Sequence, residues 1–395
     1  MLLRLLTGNW TPFLRSEPKS GEGNHSNGRL EKLRYYLADK YAVSVNQVFL
    51  TCSGRSAIYA ILRSLSSSDK ANKEIILPSF LCGCAADPAL QLGYKLVYAD
   101  IGEDLNMSYS GFLKVVSKDT VAVLIPHLNG VWNKGFDEIC DYSRKAGIVV
   151  IEDAAQAVGL ACGVKKAGKN GDFSVLSFGV GKMIFAPMGG AVIAHRDSSI
   201  NGFEDWALDP SYIARRHKTW TRLRQSPARR GMWWLREKLV KRHKVLDSRG
   251  ISINGLPIKL DEKSAGMVLD RAFDVAEKVS IRKKNACFWL EIIKTASWKI
   301  EWSHAPLNSN TFLKFWIKLP CDTAQKFKAH LWNSGVEFEE LYSPLHLRKS
   351  YRSYGQPDLP VTERLYKQVF TLPVRHDLTG KDLARIKKAV SSFQP

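Results

Sequence analysis

Between Val48 and His195 one cycle repeats: a short β-branched run, a turn of small or polar residues, then apolar residues at helical spacing. This alternation constrains the chain more than any other feature, because it makes strands and helices take turns. The predicted strands are Val48 to Cys52, Glu74 to Leu77, Lys95 to Ala99, Val121 to Ile125, Ile148 to Ile151, Phe173 to Ser177 and Ala191 to His195. Several are apolar on both faces, which requires a mostly parallel sheet covered on both sides. The predicted helices Ala57 to Leu65, Gly83 to Leu92 and Phe136 to Ala146 supply that cover. The expectation is an α/β fold with a seven-stranded sheet in a large domain, residues 48–202.

The flanking regions follow other patterns. Residues 1–47 read as an N-terminal arm and helix. Residues 203–250 are rich in arginine, lysine and tryptophan, carry no strand signal, and read as an insertion or connector. In residues 251–395 a long helix is predicted from Asp261 to about Lys294. Strand-like Phe312 to Leu319, a helix from Thr323 to Ser334, the turn Gly335-Val336 and a last helix from Leu378 to Phe393 follow. This is the pattern of a small α+β domain.

Composition narrows the function classes. With 45% hydrophobic residues over 395 positions the chain can bury a large core, and no apolar run approaches the ~18 residues of a membrane span. The apolar stretch at Met1 to Leu6 is broken by Arg4 and is too short for a signal-peptide core, so a cytoplasmic location is expected. Seven scattered cysteines predict reduced thiols, and Cys82-x-Cys84 lacks the second pair that a zinc site needs. The formal charge of +20 is the unusual number. Thirteen lysines and arginines between Arg215 and Arg249 face only Glu237 and Asp247, with Trp220, Trp233, Trp234 and Leu235 interleaved. Three readings compete there: a helix on an anionic membrane surface, a solvated insertion, and a cationic lip attracting a nucleotide diphosphate.

Three segments carry chemistry. Val149 to Ala157 runs from a buried strand into Glu152-Asp153, placing a carboxylate at the strand end where open α/β sheets bind ligands. Lys182 stands between Gly179 and Gly189-Gly190, so backbone there can approach a ligand closely. Thr51 to Ala57 reads as strand, small-residue turn and helix start, suited to holding a phosphate on exposed amides.

Together and in this order, these pieces resemble the sugar aminotransferases of the DegT/DnrJ/EryC1/StrS family, pyridoxal-phosphate enzymes of fold type I. The resemblance runs through Ser53 to Ala57, Leu77-Pro78 before Gly93 to Asp100, Pro126 to Gly130, Glu152 to Gln156, Ser177-Phe178 with Lys182, and Thr371 to Val374. It implies that Lys182 binds the cofactor as an imine and moves the substrate proton. Asp153 would pair with the pyridine nitrogen, a contact worth roughly 4 kcal/mol at ~4 Å and an effective dielectric of ~20. Gln156 would reach the ring hydroxyl. Gly54, Arg55, Ser56 and Ser177 would hold the phosphate, with Arg55 either adding charge or standing solvated. His127 would lie beside the cofactor, either touching it or merely packed.

Two positions depart from the family pattern. Cys82 stands where many members stack an aromatic ring over the cofactor, so the stacking partner is either absent, Cys82 itself, or Phe80. Only Ile253-Asn254-Gly255 stands near the place of the family's Gly-x-Asn-x-Arg stretch, which reaches across the dimer. The resemblance implies a homodimer that moves an amino group from an amino acid, such as glutamate, to a keto group of a nucleotide-linked sugar. The products of such an enzyme serve surface-polysaccharide or secondary-metabolite synthesis. The alternatives are a non-sugar cyclic ketone as acceptor, or a non-catalytic relative binding an anionic membrane or nucleic acid. No nucleic-acid partner is expected, since about 47 residues before the first strand cannot hold both a DNA-binding domain and the family's arm.

Overall fold

The computed structural model describes residues 28–66, 73–179, 181–196, 198–203, 205–225, 259–295, 301–302, 307–354 and 357–395. The Ile253-Asn254-Gly255 stretch, most of the basic segment and the N-terminal arm before Gly28 lie outside them.

Seven strands form the main sheet: β1 Val48–Thr51, β2 Glu74–Pro78, β3 Lys95–Ala99, β4 Thr120–Pro126, β5 Val149–Asp153, β8 Phe173–Ser177 and β9 Gly190–Ala194. Their spatial order is β3-β2-β4-β5-β8-β9-β1. All neighbours pair in parallel except those of β9, which is antiparallel to both β8 and β1. A short hairpin, β6 Ala161–Cys162 with β7 Lys165–Lys166, lies between β5 and β8 in sequence. Its two residues per strand are too few to show a period in the sequence.

The apolar runs read as doubly buried strands are so: every residue of β1, β2, β4, β8 and β9 is buried. One apolar cluster includes Leu50, Ile76, Val123, Ile125 and Ile193. A second includes Ile75, Leu77, Leu124, Val175 and Val192. Consecutive residues of one strand thus fall in different clusters, as the two-residue period of a strand demands. A second sheet, antiparallel and four-stranded, comprises β10 Glu301–Trp302, β11 Phe315–Lys318, β12 Glu339–Glu340 and β13 Val369–Leu372. Trp289, Phe315, Phe327 and Phe370 fill its own cluster.

Four expectations need correction. The first helix of the sheet domain starts at Gly54 rather than Ala57, because the Ser53 hydroxyl accepts the Ser56 amide and caps it. The single long helix is two, Glu262–Ala272 and Val275–Thr295, with Phe273 72% exposed at the break. Asp274 starts the second: its carbonyl accepts the Lys278 amide and its carboxylate pairs with the Lys278 ammonium at 3.0 Å. β11 begins at Phe315 instead of Phe312, whose φ of 51° is incompatible with an extended strand. Finally, the basic connector includes a helix, Pro210–Gln225, whose start is held by Asp209 accepting the Tyr212 amide at 2.9 Å. Within this helix Arg216 donates to the Pro187 carbonyl at 2.9 Å and His217 stands 3.1 Å from the Ser264 hydroxyl.

Candidate active site

β5 carries two acidic residues at its carboxyl end, and strand alternation sends them to opposite faces. Glu152 is fully buried and accepts from His127 Nε2 at 3.0 Å, the Gly168 amide at 2.8 Å, the Asn170 amide at 2.9 Å and the Ser174 hydroxyl at 3.2 Å. Burial alone would raise its pKa, but the His127 hydrogen bond and the backbone amides of Gly168 and Asn170 outweigh burial and hold it below the usual glutamate value. The Asp153 side chain, also buried, has one hydrogen bond among the described residues, from the Ala155 amide at 2.9 Å. Burial pushes its pKa up, opposed chiefly by the positive charge of Lys182.

Lys182 reaches that region from the segment between β8 and β9. The base of the segment is tied by the Phe178 amide donating to the Gly189 carbonyl at 2.9 Å and the Ala186 amide to the Phe178 carbonyl at 2.7 Å. The Lys182 amide closes a turn onto the Gly179 carbonyl at 3.1 Å, and Gly181 allows it by adopting φ +80°. Lys182 then lines a cleft of about 380 Å³ with Cys82, Cys84, Gln156, Phe185 and Tyr342.

The turn after β1 meets the same segment from the other side. Gly189 donates to the Cys52 carbonyl at 2.8 Å, and a Cβ on Gly190 would stand only 2.4 Å from the Ser53 carbonyl carbon. A Cβ on Gly54 would lie 3.0 Å from that of Ser177, so helix start and strand end form one tight cradle. The cap uses the Ser56 amide, while the Ser56 hydroxyl contacts Ser53 Oγ and Cys52 Sγ, each at 3.0 Å. The Gly54 amide remains at the helix start, where such groups have no intrahelical partner. Arg55 does not stand solvated: its guanidinium lies 3.5 Å from Asp87, whose other oxygen accepts the Tyr351 hydroxyl at 2.5 Å.

Two predicted residues serve the walls. Gln156 accepts the Asn129 amide at 3.0 Å and donates to the Tyr342 hydroxyl at 3.0 Å. His127 is wholly buried, accepting the Asn133 amide on Nδ1 at 3.1 Å, so its Nε2 carries the hydrogen given to Glu152. Its ring stacks on Trp132 with centroids 4.6 Å apart. Of the two arrangements open for His127, the packed one is observed, and it does not line the cleft.

Sequence reasoning missed the far wall. Arg282, Lys314, Glu337, Glu339, Tyr342 and Arg375 line the cleft from the C-terminal half. Lys314 pairs with Glu339 at 2.8 Å, and Arg375 donates to Asp377 at 2.9 Å and Glu337 at 3.3 Å. Arg375 Nη2 has no hydrogen-bond partner among the described residues. Only the position of Arg375 just after Thr371 to Val374 could have flagged it, since single cations on separate elements make no local motif. Among the described residues no cluster could hold a metal ion, and no helix is long and apolar enough to cross a membrane.

The same fold is found in solved structures. It is similar to an aminotransferase, TlmJ, from Streptoalloteichus hindustanus, with TM-score 0.71 and 19% identity, covering 99% of this chain and 94% of that one. Helicobacter pylori PseC, an aminotransferase in the biosynthesis of pseudoaminic acid, aligns with TM-score 0.71 and 18% identity, covering 98% and 94%. A cleft lysine beside a buried strand-end carboxylate, on this sheet, belongs to a pyridoxal-phosphate aminotransferase of fold type I. The model of the DegT/DnrJ/EryC1/StrS aminotransferase family matches residues 13–391, and the chain belongs to that family. Among sequence relatives, a UDP-N-acetyl-3-dehydro-alpha-D-glucosamine 3-aminotransferase of Acidithiobacillus ferrooxidans is 24% identical over 86% of this chain and 82% of its own length. A GDP-perosamine synthase of Vibrio cholerae is 30% identical, but over only 42% of this chain and 43% of its own length.

The residues present fit the family's cofactor. Asp153 is a buried carboxylate with a raised pKa and one amide donor, an environment that favours uptake of a cationic N–H. A Cβ at Gly54 would lie 3.0 Å from that of Ser177, so a larger residue at Gly54 would have to displace Ser177, and this tight turn leaves a backbone amide and a small hydroxyl where a phosphate would be held.

Proposed function

We propose that this aminotransferase transfers an amino group from an amino-acid donor, glutamate in the first instance, to a keto group of a nucleotide-linked sugar. The observation that carries this reading is Lys182, whose charge acts on the buried Asp153, lining a cleft whose far wall supplies Arg282, Lys314 and Arg375. Donor and acceptor both bring anionic groups, a carboxylate and a diphosphate, and guanidinium and ammonium groups bind these best. The family's named relatives include enzymes of GDP- and UDP-linked sugars, which supports the acceptor class.

When bound, pyridoxal phosphate supplies an electron sink for the substrate's α-carbon. Asp153 holds the proton on the ring nitrogen. Its burial, unfavourable for an isolated carboxylate, becomes favourable against a cation in low dielectric. Lys182 would hold the cofactor and would serve as the proton carrier at the substrate's α-carbon. The Gly54 amide and Ser177 hydroxyl hold the phosphate, and Gln156 fixes the wall through Asn129 and Tyr342. The same reading includes a homodimer acting in the cytoplasm.

Incubation with glutamate and a panel of GDP-, UDP- and dTDP-linked ketosugars, read by mass spectrometry, tests it. An amino-sugar nucleotide from one member is the expected result. Turnover of non-sugar cyclic ketones alone would refute the acceptor assignment.

A further inference from the structure

Two thiols line the cleft beside Lys182. Cys82 is the cap residue of helix Gly83–Gln91, Cys84 follows two positions on, and both line the cleft with Lys182. All seven cysteines are free thiols; Cys52 and Cys140 are buried, and Cys321 is exposed on a separate helix. The Cys84 thiol and amide donate to Cys82, and the charges of Lys182 and Arg55 favour its anionic form. Tyr342 and Tyr351 also face the pair, and burial keeps both phenols in their neutral form.

We propose that Cys82 is a thiolate modification site within the cleft that takes low-molecular-weight disulfides, with Cys84 as the neighbour that activates it. The physical basis is position: Cys82 caps helix Gly83–Gln91 and lines the cleft with Cys84 and Lys182, and Arg55 is held against the same helix by Asp87 at 3.5 Å. The Cys84 hydrogen bond, opposed by burial, leads the causes that lower its pKa to about 6, while Cys84 itself is pushed up because its proton is held in that bond. In the step itself the Cys82 thiolate attacks one sulfur of the disulfide. The sulfur–sulfur bond breaks, one thiolate leaves and takes a proton from water, and a mixed disulfide remains on Cys82. A free thiol reverses the exchange. The adduct fills space beside Lys182, so it competes with the cofactor. That consequence rests on the functional reading above, whereas the thiol chemistry does not.

The experiment compares the thiols of the full-length protein, with and without cofactor, by iodoacetamide labelling and peptide mass spectrometry. At pH 6.5 a pKa near 6 gives roughly 75-fold more thiolate than an ordinary value near 8.5, and reduced nucleophilicity takes back about tenfold. Cys82 in the cofactor-free chain is therefore expected to label roughly fivefold faster than Cys321. Cys84→Ala should move the labelling midpoint to higher pH, and Cys84→Ser, which keeps a donor, should restore most of the shift. Glutathione disulfide should map to Cys82 and come off with dithiothreitol. Labelling of Cys82 no faster than Cys321, or an unchanged midpoint in Cys84→Ala, overturns the proposal. Equal labelling with and without bound cofactor overturns the competition while leaving the aminotransferase reading intact.

Discussion

Glu152 and Asp153 are adjacent on one strand, yet their surroundings drive their carboxyl groups in opposite directions. Glu152 accepts four hydrogen bonds and is held ionised, while the Asp153 carboxylate, also buried, accepts only from the Ala155 amide among the described residues and is pushed toward its neutral form. One anchors the scaffold and the other waits for a cation.

Lys182 is expected to hold the cofactor covalently. Borohydride treatment of the yellow protein, followed by peptide mapping, should place the pyridoxyl group on Lys182. Lys182→Ala should lose at least 1000-fold in kcat, an order-of-magnitude expectation for removing both nucleophile and proton carrier. A pyridoxyl adduct on another lysine would remove this residue from the mechanism.

Asp153→Asn should abolish most transamination while stabilising the cofactor-free chain at neutral pH. Asp153 has a folded pKa raised above 3.8, so above that raised value it is ionised in both states and the fold bears the full cost of its burial as an anion. Below 3.8 both folded and unfolded states are protonated and the penalty disappears. Thermal unfolding of the cofactor-free variant should therefore show a raised Tm at pH 7 that converges on wild type as the pH falls through the folded pKa. A lower Tm at pH 7 would contradict this.

Glu152→Gln should do the reverse. The amide cannot accept from His127, two backbone amides and Ser174 at once, and removing one partner from such a buried cluster costs about 3 to 5 kcal/mol. The folded pKa of Glu152 lies below 4.5, so its contribution is present above that value and is lost as pH falls through the folded pKa. Urea titrations at pH 7 and near pH 4 should show the gap between wild type and variant narrowing in acid. A gap that does not change with pH would exclude the charged network as its source.

Arg375→Gln should weaken substrate capture more than chemistry. Glu337 and Asp377 orient the guanidinium and leave Nη2 for a ligand, so the expected change is a tenfold or greater rise in a KM, about 1.4 kcal/mol or more, with a smaller fall in kcat. Separate titrations of amino donor and nucleotide sugar identify which anion it meets. Unchanged KM values for both would make Arg375 a structural brace.

Much of this was legible in the sequence because it is local. Seven apolar runs marked the seven strands, and Asp153, Lys182 and the Ser53 turn announced themselves by their neighbours. What escaped depends on distant partners. The break at Phe273 leaves helical spacing intact on both sides, and Asp274 stands out only once its bonds to Lys278 are visible. Arg375 and Tyr342 reach the cleft beside a second sheet whose central strands, β11 and β13, lie about fifty residues apart. His127 read equally well as a ligand or a packed ring, and its partnership with Glu152, a residue distant in sequence, became visible only in the fold.

The antiparallel β9 has a kinetic consequence. It carries Gly189-Gly190 back against Ser53, joining residues about 135 positions apart, and β1 reaches the sheet only through β9. Closing so long a loop is slow and entropically costly, so this joint forms after the local β–helix–β units. The cradle for the phosphate is therefore among the last parts of the molecule to assemble. During refolding, recovery of helical signal should precede capture of the cofactor, and the chain remains blind to its cofactor until its earliest and latest sheet segments have met.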